Sequence, residues 1–219
     1  PRTSSAASDV YKRQVTNEPY SVTSGVKKPE QVEIEAEERQ KLDSGGQPQS
    51  SQVLDWITKN RGEIIAKELV KHSADVAEIE SRNNPKAIQK IKRDGKFVDD
   101  GPGRGKYQYE MKYAGGSNSN KTAVTRYKEF YKKNNLKIPD EYQILLGEKD
   151  VDFSKLPERL QDDIFYADKN EGAIPLNDLA TGKLTSEDAW LKYHWAGKEK
   201  DRPVKKAMWN ERFKDLINK

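Results

Sequence analysis

The stretch Ala77-Glu78-Ile79-Glu80-Ser81-Arg82-Asn83-Asn84-Pro85 decides how the rest of the chain reads. Ahead of and within it, Ile65, Leu69, Val76 and Ile79 recur at helical spacing, which predicts one or two short helices with a buried stripe. Glu80 follows Val76 by four residues and Ala77 by three, so it projects from the edge of that stripe, whereas Glu78 does not. A carboxyl held against apolar packing loses hydration, which raises its pKa toward the range a general acid needs near neutral pH. Asn84 precedes a proline and is biased out of the helical region, so the helix is expected to end at once and Ser81 to Pro85 to form its exit turn.

Downstream, Gly101-Pro102-Gly103-Arg104-Gly105 crowds three glycines and a proline into what reads as a tight turn, and Asp99-Asp100 ahead of it as turn chemistry. Phe97-Val98 on one side and Tyr107-Gln108-Tyr109 on the other are short β-prone runs, which together predict a small hairpin or flap.

Glu80-Ser81 closing a helix, Asn84-Pro85 just after it and Gly105-Lys106-Tyr107-Gln108 about thirty residues on resemble the Glu-Ser and Gly-Leu-Met-Gln signatures of lysozyme-like lytic transglycosylases. The nearest flavour is the wall-cleaving domain carried on virion proteins of tailed phages. The resemblance spans about Ile64 to Gly197 and departs from the family at Lys106-Tyr107, where Leu-Met is usual. A later Ala-Tyr-Asn-Ala-Gly motif has a loose counterpart in Tyr193-His194-Trp195-Ala196-Gly197, with His194 in place of the Tyr and Trp195 in place of the Asn.

The resemblance implies a mainly α (α+β) lysozyme-like fold with a small β-hairpin flap, acting on peptidoglycan glycan strands in a virion or after delivery to the periplasm and wall. It makes Glu80 the single catalytic acid/base and brings Ser81 and Gln108 to the sugar cleft. Pyranose rings stack on aromatic faces, so Tyr107, Tyr109, Tyr193 and Trp195 are the candidate sugar contacts, while Trp190 and Trp209 are assigned to the core. A retaining hydrolase needs a second carboxylate about 5 Å from the first. Asp99 and Asp100, nineteen and twenty residues after Glu80, are candidates for it, and Glu110 is a further cleft carboxylate to consider. Three alternatives stay open: a hydrolytic muramidase, a virion structural module that has lost activity, and a basic nucleic-acid-binding protein.

Of the 219 residues, 35% are charged and 33% hydrophobic, too polar a balance for packing along the whole length. Residues 15–50 explain it. Pro19, Pro29 and Pro48, the glutamate-rich run from Glu30 to Glu38 and Ser44-Gly45-Gly46 read as a disordered polar linker, a tether through which other virion proteins would be reached. Residues 1–14 resemble translated sequencing-adapter sequence and are set aside, so the natural N-terminus is expected to be missing. The catalytic domain is expected over residues 51–219.

The absence of cysteine excludes disulfides, thiolate nucleophiles and cysteine metal sites. His72 and His194 lack metal-ligand spacing, so neither metal nor other cofactor is expected. No run of eighteen apolar residues exists to span a membrane. The net charge of +4 suits an anionic wall as well as nucleic acid, but no helix-turn-helix spacing or aromatic-interleaved basic sheet accompanies it.

Ser51 is a candidate N-cap for a helix carrying Val53, Leu54, Trp56 and Ile57, broken at Gly62. Lys121 to Asn134 places Val124, Tyr127, Phe130 and Tyr131 on one face and Lys121, Arg126, Lys128, Lys132 and Lys133 on the other, a solvated surface or a contact for phosphate. A helix starting at Ser154 or Pro157 runs through Leu160, Ile164 and Phe165; Asp162 and Asp163 on it, and His72 earlier, read as solvated or capping residues. Thr185-Ser186-Glu187-Asp188 opens a helix expected to reach Gly197, and a last helix from Val204 to Ile217 is expected to bury Met208, Trp209, Phe213 and Leu216.

Overall fold

The computed structural model describes residues 51–217 apart from 94–95, 113–115, 148–149, 173 and 196–198. The readings made for residues 1–50 and for the glycine cap at Gly197 lie outside the described residues. The fold is mainly helical with a small three-stranded antiparallel sheet.

Helix α1 (Gln52–Arg61) begins as its serine predicts, with the Ser51 hydroxyl accepting from the Leu54 N–H at 3.0 Å, and it buries Val53 and Ile57 completely. Gly62, at φ 103°, turns the chain into α2 (Glu63–Ser81). This helix is one continuous element of 19 residues, burying Leu69, His72, Val76, Ala77 and Ile79. Arg82 and Asn83 then adopt left-handed φ of 57° and 59°, and their N–H groups satisfy the carbonyls of Glu78 and Ala77 that the helix end leaves open.

Strands β1 (Ile88–Arg93), β2 (Lys96–Arg104) and β3 (Tyr109–Glu110) lie in that order, with Gly103 opposite Glu110 and Arg104 opposite Tyr109. The expected turn is therefore misplaced: Asp99 to Gly103 belong to β2, and the turn is Gly105 to Gln108. Glycine here makes room rather than a bend. A Cβ on Gly101 would sit 2.6 Å from the Gln89 Oε1, and one on Gly103 2.6 Å from the Gln108 Oε1. Residues Ser51–Ile91 and Asp99–Lys219 form one compact unit, which holds every site residue discussed below.

Helix α3 (Ser119–Lys133), α4 (Asp140–Leu145) and a 3-10 turn at Phe153–Lys155 lead to α5 (Glu158–Glu171), then α6 (Leu176–Ala180) and α7 (Ser186–Ala189). Thr185 caps α7 by accepting from the Asp188 N–H at 3.1 Å. From α7 the chain passes into a π-helical turn, Trp190–His194, a 3-10 turn at Glu199–Asp201 and α8 (Arg202–Ile217). Trp209 is the one buried side chain on the described part of α8, with Met208 and Phe213 half-buried.

At the centre is α5, which packs on α1, α2 and α3. Ten of its 14 residues are buried, and half of those are polar: Gln161, Asp163, Asp168, Lys169 and Asn170. Phe165 and Ile164 join Leu69, Tyr127 and Phe130 in the apolar core, each such side chain contributing roughly 1.5–3 kcal/mol.

Candidate active site

Glu80 stands in the last turn of α2, half-buried, where its Oε1 accepts the indole N–H of Trp190 at 2.7 Å. Next to it, the Ser81 hydroxyl donates to the Lys106 carbonyl at 2.7 Å and accepts from the Asn84 N–H at 3.1 Å. Ser81 thereby joins the helix end to the Gly105–Gln108 turn. From below, Gln161 of α5 takes hold of the same turn: its Oε1 accepts the Lys106 N–H at 2.7 Å, while its amide donates to the carbonyls of Pro85 and Leu156 at 2.9 and 3.0 Å.

His194 supplies a third hold, with its Nε2 2.8 Å from the Tyr107 carbonyl. A carbonyl only accepts, so Nε2 carries the proton, and Nδ1 then accepts from the Lys169 ammonium at 3.2 Å. Burial first, then the Lys169 charge, pushes His194 down to about 3. Gly105 adopts φ +74°, and a Cβ there would meet the Phe153 Cβ at 2.9 Å, so only glycine fits at the head of this turn.

The aromatic candidates divide. Tyr107 and Tyr109, expected to stack on sugar, are 1% and 3% exposed and offer no ring face to a ligand. Their alternation carries both onto α5: Tyr107 stacks on Phe165 at 4.2 Å and donates to Asp162 at 2.6 Å, while Tyr109 donates to Asp168 at 3.0 Å. Tyr193 on the π-helical turn and Trp195 just after it are partly exposed, with Lys192 5.1 Å and Lys205 5.8 Å from their ring centroids. Gln108, at φ 51°, turns its amide inward to the carbonyls of Gly105 and Ala87 at 2.8 and 3.3 Å. Its nitrogen thus braces the turn.

Among the carboxylates, Asp100 is exposed and paired with Lys90, and Glu110 accepts from the Ser117 N–H at 2.8 Å. Asp99 is a residue of β2 whose side chain lies outside the described set. Asp162 is no solvated residue: it binds Lys106 at 3.0 Å as well as the Tyr107 hydroxyl. Asp163 is 2% exposed, and burial pushes its carboxyl up to about 6. His72 is likewise corrected from the surface to the core, fully buried, with Nδ1 2.8 Å from the Ser186 hydroxyl and its pKa driven down to about 3 by burial and then by Lys169.

The basic face of α3 is largely exposed, with Lys121, Lys128, Lys132 and Lys133 at the surface, and three of its cations pair with neighbouring residues. Arg126 binds Asp168 at 2.7 Å, Lys133 binds Glu171 at 3.2 Å and Lys128 donates to the Leu146 carbonyl at 2.9 Å. No group of acidic and histidine residues able to hold a metal ion occurs among the described residues, and none of their helices is long and apolar enough to cross a membrane. Trp190 and Gln161 are the site residues that the sequence reading missed. Trp190 does lie in the core, as the sequence suggests, and Gln161 carries no local signal; only the folded chain puts Trp190 against Glu80 and Gln161 beneath the turn.

Comparison with models of known families, with characterised proteins and with solved structures gave no match to this chain.

Proposed function

We propose that the chain cleaves the β-1,4 bond between N-acetylmuramic acid and N-acetylglucosamine in peptidoglycan, as a lytic transglycosylase with Glu80 as acid and then base. One observation carries the reading. Glu80 is held at the end of α2 by the Trp190 indole, and its neighbour Ser81 is bonded to the Gly105–Gln108 turn, so the two segments that resemble the family signatures meet through a side chain. The Glu80 carboxylic acid would protonate the glycosidic oxygen as the C1–O bond breaks and N-acetylglucosamine departs. The 6-hydroxyl of the same muramic acid residue closes on C1, its proton passes to Glu80, and a 1,6-anhydro end results without consumption of water.

This route needs one carboxylate. A retaining muramidase would instead need a second carboxylate held about 5 Å from the first, and the products separate the two routes. Tyr193 and Trp195 are the remaining ring faces for sugar. A place in a phage virion, reached through residues 15–50, goes with the reading.

Mass spectrometry of muropeptides released from purified peptidoglycan by the full chain, beside Glu80→Gln, tests it. Anhydro-muropeptides that vanish in the variant are expected. Reducing-end products that vanish would make it a muramidase, and no release by the folded parent would leave an inactive structural module.

A further inference from the structure

We infer that Trp190 is a positioning residue for Glu80, fixing the orientation of its carboxyl group through Oε1. An indole N–H donates and cannot accept. At 2.7 Å from Oε1 it holds that oxygen as an acceptor and so fixes the direction in which the carboxyl group points.

The surroundings are built to hold the indole still. Trp190 is 1% exposed, its ring lies 5.3 Å from that of Trp209, and Trp209 lies 4.6 Å from Phe213, both on α8. Trp190 also opens the π-helical turn, which closes with the Trp195 N–H on the Trp190 carbonyl at 2.8 Å. A π turn inserts one residue into the helical repeat. Within that turn Trp190 meets Glu80 and His194 meets the Tyr107 carbonyl, so one short element serves both the acid and the turn facing it. The indole bond is stronger to a carboxylate than to a neutral acid and therefore favours the ionised form.

The catalytic meaning of this contact rests on the proposed transglycosylase reading; the contact itself is tested without it. The chain has four tryptophans, and the Trp190 indole resonance is identified by its proximity to Trp209. In the parent, that indole proton is expected to shift with pH at the same midpoint as the Glu80 side-chain carbon, and to become insensitive over that range in Glu80→Gln. Trp190→Phe keeps a ring and removes the N–H. It is expected to raise the Glu80 midpoint by about half a unit or more and to lower kcat about tenfold, with KM within about twofold.

An indole shift that ignores the Glu80 titration, or a Glu80 midpoint unmoved in folded Trp190→Phe, would overturn the inference. Should that variant fail to fold, the comparison of the parent with Glu80→Gln decides alone. Coincident titrations in a parent that cleaves no wall would refute the enzymatic reading and leave the hold of Trp190 on Glu80 standing.

Discussion

Lowering the pH from 8 to 5 should weaken the fold by about 2 kcal/mol, and the loss should come from two histidines. His72 and His194 are held near 3 in the folded chain, by burial first and by Lys169 second. Unfolded histidine titrates near 6.5, so between about 6.5 and 3 the unfolded chain binds protons that the folded chain refuses, and stability falls with pH. At pH 5 this costs about 2 kcal/mol for the fully buried His72. His194 costs somewhat less, because the residue keeps some solvent contact although both ring nitrogens are engaged.

Asp163 opposes them. Its folded pKa near 6 lies above the unfolded value, so it takes a proton first on folding and returns about 1 kcal/mol by pH 5. Asp168, held down to about 2 by Lys169 and Arg126 against its burial, contributes stability that is lost only below about 4 and so stays silent in this window. Urea unfolding followed by tryptophan fluorescence at pH 8 and 5, at fixed ionic strength, reads the difference. His194→Gln retains an amide donor for the Tyr107 carbonyl and has no proton to gain, so it should flatten part of the slope. A protein equally stable at both pH values, or more stable at 5, would refute the buried neutral histidines.

Ser81→Ala removes the hydroxyl that ties α2 to the turn; it should cost roughly 1–2 kcal/mol in urea unfolding and reduce wall cleavage by a larger factor than that stability loss explains, since the turn beside Glu80 is released. Asp168→Ala leaves Lys169, itself 3% exposed, without its carboxylate and should cost roughly 3–5 kcal/mol. Adding Lys169→Met should recover part of that loss, and a double variant as unstable as the sum of the singles would sink the explanation.

Features set by a few neighbouring residues were legible in the sequence. Ser51 and Thr185 cap their helices, Gly62 separates α1 from α2, and α2 ends at Ser81 ahead of Asn84-Pro85. Features whose meaning depends on distant partners were not. Gly101, Pro102 and Gly103 are turn residues by composition, yet they run in β2 because Gln89 and Gln108 need the space their missing side chains leave. On α5 the apolar run of Leu160, Ile164 and Phe165 is legible but the fate of its polar residues is not; Gln161, Asp168 and Lys169 are buried because Lys106, Arg126, Tyr109 and His194 come to meet them. Tyr107 and Tyr109 have the composition of a sugar platform, and only the position of α5 turns them into core. The π-helical turn carries no local signal at all, since Trp190 to His194 continues the helical pattern opened by Thr185.

That polar burial has a consequence for the site. Three backbone groups of adjacent residues, the Lys106 N–H, the Lys106 carbonyl and the Tyr107 carbonyl, are each bound by a side chain from a different element: Gln161 of α5, Ser81 of α2 and His194 of the π-helical turn. Apolar packing alone tolerates small slips of a turn, because its energy varies slowly with position, whereas a hydrogen bond weakens steeply with angle and distance. Holds from three directions remove the rotations that one or two would leave. The same α2 end and the same π-helical turn carry Glu80 and the Trp190 that grips it, so the acid and the turn opposite share two of their three supports. A change that shifts the turn by way of Ser81 or His194 therefore moves the carboxyl too, while a change at Gln161 moves the turn alone.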